Sequence, residues 1–248
     1  MQIIVGVLSF NHPHLTLSCI ESVPKDCPVL LVHNGSSREN VELIKSKTVE
    51  RNFLHIVIEE NKGFTGGINR LLTEAFQSFD VCLFLSNDTK VLQFDLAEIA
   101  HSKDSVGVPQ IKYRSGKVAS IGAKVNLSNK KLIHCKSKEE FECDSEDYNR
   151  YVPGASFAIS KNVFQKVGPF DESLHTYWED VDWSLRATSL GVDFKVLKGT
   201  VIEHGVAKTT RKDPFYSNYL FHRNKEIVCS RWSQKPVGRS AGITFVDG

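Results

Sequence analysis

Short apolar runs and helix-length amphipathic segments alternate along the first part of the chain. Residues 3–8, 29–32, 54–58 and 81–85 are rich in β-branched or aromatic side chains and predict strands. Between them, residues 14–22, 37–46 and 65–76 carry apolar positions at rough helical spacing. Strands alternating with helices predict βαβ units, hence a parallel sheet with helices on both faces. Ligands of such sheets bind beyond the carboxyl ends of the strands. The segments at those ends are polar and turn-prone: SFNHP at 9–13, HNGSS at 33–37, NKGFTGGIN at 61–69 and SNDT at 86–89. Four such segments on one sheet edge predict a composite pocket.

After about Lys90 the pattern changes. Residues 106–111, 117–125 and 152–160 read as strands, and the charged stretch 136–146 reads as a solvated loop. A short helix is expected at 161–166 and a firmer one at 178–189, ended by Gly191. Residues 194–197 and 200–203 read as closing strands, and 214–232 as a helical, aromatic and basic segment. Residues 233–248 carry no strong pattern. With no internal repeat and no interdomain linker, the expectation is one α/β domain over 1–232, its halves meeting near residue 112, followed by a tail.

A chain of 248 residues can bury a sizeable core without a disulfide or metal staple. Lys and Arg number 31 against 29 Asp and Glu, so nucleic acid is not expected as a partner. The six cysteines are scattered and form no C-x-x-C pair, which fits reduced thiols better than a disulfide framework or zinc site. The opening apolar run lacks a basic leader, and no later run reaches transmembrane length. The expected location is therefore cytoplasmic, with peripheral contact at the inner face of a membrane left open.

Several residues stand where chemistry could occur. Asp88 ends an apolar strand in a polar turn, where a carboxylate can either ligate a hard cation or close an Asx-turn. The glycines of 63–67 fit neither a P-loop nor a dinucleotide loop. They permit a tight strand-to-helix turn or close approach of backbone to a ligand. If 178–189 is helical, Asp182 and Arg186 stand at i,i+4 and can pair. Asp180 has no basic residue at those offsets, so it suits a general base or a helix-dipole role equally. His204 ends another apolar run and is either a hydrogen-bonded structural residue or a ligand.

Taken together, the segments resemble family 2 glycosyltransferases of the GT-A fold, particularly the rhamnosyltransferase-like branch. VGVLSFN at 5–11 is similar to the family's opening strand and loop, and VHNGSS at 32–37 to its V-D-N-x-S segment. Residues 61–69 resemble N-x-G-F-x-G-G-x-N, and LSNDT at 85–89 resembles the metal motif L-N-x-D-T. PGASFAIS at 153–160 and GPFDE at 168–172 resemble acceptor-side segments, and WEDVDW at 178–183 the E-D-x-D motif. Arg223, Asn224 and Lys225 resemble an R-N-R/K helix. The likeness runs from about Ile3 to Ile227, and the series is far more specific than any member.

The resemblance implies a GT-A (Rossmann-like) fold with a mixed, mostly parallel sheet flanked by helices, and a C-terminal helical segment. It implies a donor-binding half over about 1–112 and an acceptor-binding half over about 113–232. It implies an inverting transfer of a hexosyl or deoxyhexosyl group from a UDP- or dTDP-linked sugar to a glycan or lipid-linked glycan, assisted by Mn2+ or Mg2+. Asp180 would be the general base, Asp88 and His204 would hold the metal, and Trp178 and Glu179 would shape the acceptor side. Ser9, Phe10, Asn11, His33, Asn34, Asn61, Gly63, Gly66, Gly67, Asn69, Asn87 and Asp88 would surround the donor.

Two departures matter. The family usually carries Asp where this chain has His33, and many members carry a second Asp where it has Lys90. Two other readings compete: a sugar nucleotidyltransferase, and a degenerate non-catalytic sugar- or nucleotide-binding module. The former would need a G-x-G-x-R-type loop that residues 8–13 do not supply, and retention of Asp88 and Asp180 weighs against the latter. For the segment 215–232, a packed helix closing the acceptor side competes with an interfacial helix approaching a lipid-linked acceptor.

Overall fold

The structure, a computed structural model, describes residues 1–49, 53–205 and 214–233. The expected tail lies outside these residues beyond Ser233. The parallel half is built from β1 (Ile3–Ser9), α1 (Pro13–Glu21), β2 (Val29–Asn34), α2 (Arg38–Lys47), β3 (Phe53–Ile58), α3 (Gly63–Ser78) and β4 (Val81–Ser86). Next come β5 (Thr89–Gln93), α4 (Leu96–Ala100), β6 (Ser105–Lys112), β7 (Val118–Ser120), β8 (Ala123–Asn126) and β9 (Lys131–His134). The remainder comprises α5 (Lys138–Glu142), β10 (Asn149–Tyr151), β11 (Ser156–Ser160), α6 (Lys161–Val167), α7 (Glu179–Ser189), β12 (Asp193–His204) and α8 (Pro214–Ser233).

Among the described residues the main sheet has the order β3-β2-β1-β4-β11-β6-β12-β5, with β7 alongside β6. β1 to β4, β6 and β12 share one direction; β5, β7 and β11 oppose it. The sheet is therefore mixed and mostly parallel, as expected. Alternation along β1 divides the core. Ile4 and Leu8 pack with Ile68, Leu71 and Leu72 of α3, while Val5 and Val7 pack with Cys19 and Ile20 of α1 and Ile44 of α2. Burial on both faces explains why these strands read as unbroken apolar runs. Among the described residues no helix is long and apolar enough to cross a membrane, and no disulfide forms.

In the second half β5, α4, β9 and β10 form where no element was expected, and four segments differ from their expected form. The single strand expected at 117–125 is two, because Gly122 turns the chain at φ +73° and the Phe141 ring fills the space a side chain would need. The charged stretch 136–146 contains α5, capped by Ser137 accepting from the Glu140 amide and anchored by the buried Phe141. The strand expected at 152–160 begins only at Ser156. The two closing strands are one, β12, with a register shift between Leu197 and Val201.

Candidate active site

β4 ends and β11 begins at the same sheet edge, because the two pair antiparallel with Ser156 opposite Leu85. The Ser86 amide donates to the Ala155 carbonyl (3.0 Å), which sets the turn at 86–88 beside the turn at 153–155. From the first turn comes Asp88. On the second, the Gly154 amide donates to Asp180 Oδ2 (3.0 Å). Two carboxylates distant in sequence are thereby tied to neighbouring turns at the carboxyl ends of the parallel strands.

His204 reaches Asp88 through another pairing. β5 doubles back after the turn and runs antiparallel to β12, with Thr89 opposite His204. His204 Nε2 lies 3.3 Å from Asp88 Oδ1, and Ser86 Oγ donates to the same oxygen at 2.8 Å. The Gly205 amide donates to the Asp88 carbonyl (3.0 Å), fixing the backbone. Burial pushes the Asp88 carboxyl up, but the His204 contact and the Ser86 hydroxyl outweigh it and hold it below the ordinary carboxylate range. An ionised carboxylate beside an imidazole nitrogen is a pair that could hold a hard divalent cation. Among the described residues no group of three or more His, Cys, Asp or Glu gathers to hold a metal.

Asp180 occupies the first turn of α7. The Val181 amide donates to its Oδ1 (2.8 Å), and burial pushes its pKa up to about 6 against the pull of these two amides. Glu179 beside it is buried, its Oε2 makes no hydrogen bond among the described residues, and burial together with the Asp180 charge raises its pKa well above the ordinary value. The two carboxyls are thus driven apart: Glu179 stays protonated where Asp180 is ionised. The Tyr151 phenol is raised by burial and then by Asp180, and so stays neutral.

Below lies an aromatic floor. Phe64 of α3 meets Phe84 of β4 (5.6 Å between centroids), Phe84 meets Phe157 of β11 (5.2 Å), and Phe170 stacks on Trp183 of α7 (5.2 Å). Each such pair contributes about 0.5–1.5 kcal/mol beyond its buried area. The floor joins the elements that carry Asp88 and Asp180.

The residues expected around the donor lie at the ends of β1 to β4, but most of their side chains bind other loops. Ser9 Oγ pairs with Thr16 Oγ1 (2.9 Å), and Asn87 Nδ2 donates to the same hydroxyl (3.1 Å). Asn11, at φ +51°, accepts from the Ser37 amide (3.2 Å) and Asn40 Nδ2 (3.1 Å); Phe10 beside it is half-buried. Asn34 donates to the Gly63 carbonyl (2.7 Å) and accepts from the Lys62 amide (3.0 Å), while Asn61 Oδ1 accepts from the Gly63 amide (2.8 Å). Asn69 holds Phe170 through both its amide and carbonyl (2.8 and 2.9 Å) and reaches Glu172. A side chain on Gly66 would strike Lys62. Gly63, at φ +70°, packs against His175, and Gly67 lets α3 approach Leu8 and Asn34. His33 is fully buried, stacked on His55 with Nε2 at 3.2 Å from His55 Nδ1.

Sequence reasoning missed the device that holds the 175–178 loop. His175, Tyr177 and Trp178 all have positive φ, which for such side chains is strained backbone. Asn224 of α8, fully buried, donates to the carbonyls of Leu174 (2.7 Å), Thr176 (2.8 Å) and Tyr177 (2.7 Å). Arg223 donates to Ser173 (2.8 Å) and to Asn224 Oδ1 (2.9 Å). Further along α8, Arg231 and Trp232 both donate to Asp182 Oδ1 (2.8 and 2.9 Å). Arg186 stands 3.7 Å from Asp182, the expected i,i+4 pair. The only sequence signal was the R-N-K triplet, which carries no address for its partners.

No family model matches the sequence, and no curated protein matches it. Solved structures do match. GalNAc-T7 with UDP, GalNAc and Mn2+ is 16% identical with a TM-score of 0.69, covering 95% of this chain and 48% of that one. S. aureus TarS is 18% identical with a TM-score of 0.57, covering 82% of this chain and 36% of that one. The mannosyltransferase PcManGT from Pyrobaculum calidifontis, in complex with GDP-Man and Mn2+, is 14% identical with a TM-score of 0.55, covering 84% and 58%. The chain spans about half the length of the first of these. These neighbours are glycosyltransferases, and the architecture this chain shares with them is the GT-A fold.

Proposed function

We propose that this chain is an inverting glycosyltransferase that uses a nucleotide-sugar donor, of the family 2, rhamnosyltransferase-like type. The observation that carries the reading is the joining of the Asp88–His204 pair and Asp180 at one sheet edge through the β4–β11 pairing. Asp180, ionised above about pH 6, takes the proton of an acceptor hydroxyl. The freed oxygen forms a bond to the anomeric carbon as the bond from that carbon to the diphosphate oxygen breaks. The nucleoside diphosphate leaves with the electron pair, and the anomeric centre inverts. Asp88 and His204 would hold Mn2+ or Mg2+, which when bound supplies positive charge against the leaving diphosphate. Residues 1–112 bind the donor and 113–232 the acceptor, a glycan or lipid-linked glycan, with Trp178 and Glu179 against it.

A panel of nucleotide sugars scored by thermal shift, with Mn2+ or Mg2+ present, tests this. A UDP- or dTDP-sugar is expected to raise the melting temperature and to release nucleoside diphosphate on incubation. A panel in which no member binds would reject the reading.

The start of α8 bears on the acceptor. Phe215, Tyr216 and Tyr219 are exposed there, while Leu220, Val228 and Trp232 pack inward. An acceptor on a lipid surface would place these aromatics at the interface. Co-sedimentation with anionic vesicles is expected, and its loss on replacing Phe215 and Tyr219 by Ser. A chain that stays in the supernatant at low salt excludes membrane contact by this face.

A further inference from the structure

The mouth of the candidate site holds a cation that the reaction above does not use. β6 ends at Lys112, and the following turn, closed by the Gly116 amide donating to the Tyr113 carbonyl (2.8 Å), carries Arg114. Parallel pairing sets Lys112 opposite Glu203 of β12, so that Arg114, two residues on, comes level with Gly205. Arg114 Nε lies 3.8 Å from Glu203 Oε1. A methyl group placed on Gly205 would stand 3.3 Å from the Asp88 carbonyl oxygen and 3.7 Å from Arg114 Nη2. The guanidinium and the Asp88 turn therefore flank the same small gap, left open by a glycine.

The exposures differ in a telling way. The Arg114 side chain is 60% exposed and its carboxylate partner 20% exposed. An exposed pair at this distance contributes little to stability, so folding does not account for the arginine. It is instead an accessible guanidinium leaning on a half-buried anchor. Lys90 stands opposite Glu203 on the other neighbouring strand, so three cationic residues, Lys90, Lys112 and Arg114, neighbour Glu203.

Charge gives the cation a use. A departing nucleoside diphosphate carries more negative charge than one divalent cation neutralises, and Asp88 itself adds a negative charge. A planar guanidinium can meet two phosphate oxygens at once and cannot be deprotonated. We propose that Arg114 binds the donor diphosphate directly at the mouth of the Asp88–His204 site, positioned for it by Glu203. The proposal rests on the reading of the donor as a nucleotide sugar.

The test is calorimetric titration of UDP, dTDP and GDP into the wild-type chain, Arg114→Gln and Arg114→Lys, with and without Mn2+. For whichever nucleotide the wild type binds, Arg114→Gln is expected to weaken affinity roughly tenfold or more, the scale of a charge-assisted hydrogen bond. The loss should persist without Mn2+, Arg114→Lys should recover part of it, and the unliganded melting temperature should stay unchanged. Equal affinity in wild type and Arg114→Gln overturns the proposal while leaving the proposed function standing. So does a loss that lysine does not recover and that comes with a lowered melting temperature. Wild-type chain that binds none of the three overturns both.

Discussion

Asp180→Asn is expected to abolish sugar transfer while leaving nucleotide-sugar binding intact. The carboxylate accepts from the Gly154 and Val181 amides, one on each oxygen, and these bonds aim it from the start of α7. Asparagine is close to isosteric and keeps one of those acceptors, so the fold should survive. What it cannot do is take a proton, and removing a positioned base typically costs about 10²–10⁴-fold in rate. The pH profile gives an independent readout. Burial raises the Asp180 pKa to about 6, and the base works only when ionised. The wild-type rate should therefore rise with pH through about 6 and level above it, a limb that Asp180→Asn lacks. Glu179→Gln separates the two carboxyls: Glu179 is held protonated, so the pH limb near 6 should survive a neutral amide in its place, whatever the change in acceptor affinity. Transfer by Asp180→Asn at the wild-type rate would remove Asp180 from the mechanism.

The sequence spoke most clearly where burial is simplest. β1, β2 and β4 lie between helices on both faces, so nearly every position is apolar and the strands stand out. β5 was invisible as a strand. Only Thr89 is buried while Lys90, Leu92 and Gln93 are exposed, so no alternation marks it, and it is short and at the sheet edge. β12 looked like two strands because Lys198 and Gly199 interrupt its apolar pattern at the register shift. Both failures have the same origin, since edge position and irregular pairing are tertiary facts with a weak local imprint.

The candidate site divides in the same manner. Asp88 and Asp180 could be singled out because each sits where an element begins or ends. The partnership of Asp88 with His204 depends on the register of β5 against β12, and that of Asp180 with Gly154 on the start of β11. Neither register could be read from local spacing. Asn224 is the clearest case. A polar residue inside a helix gives no hint that it will be fully buried, with its amide nitrogen in hydrogen-bond reach of three carbonyls of a strained loop about fifty residues earlier. The asparagines of the expected donor wall show the converse: their motif was legible, while their use in tying loop to loop was not.

Asp88→Asn is expected to remove the response of the chain to Mn2+. In the wild type, two side chains within 3.3 Å offer one oxygen and one nitrogen to a cation, too few for tight binding of the metal alone. Affinity for the nucleoside diphosphate should therefore rise when Mn2+ is added, and chelation should lower transfer reversibly. Asparagine can still accept from Ser86 and contact His204, so the turn at 86–88 should keep its shape. It brings no charge, however, and the His204 nitrogen by itself is a weak anchor for a hard cation. Transfer should fall by roughly 10²–10³-fold, the scale seen when one group stabilising a developing anion is lost. Titration of the diphosphate with and without Mn2+ separates this from a general defect. The variant should bind it no better with the metal than without, at about the wild-type metal-free affinity. An undiminished Mn2+ response in Asp88→Asn would place the metal elsewhere and leave Asp88 as a turn residue held by His204 and Ser86.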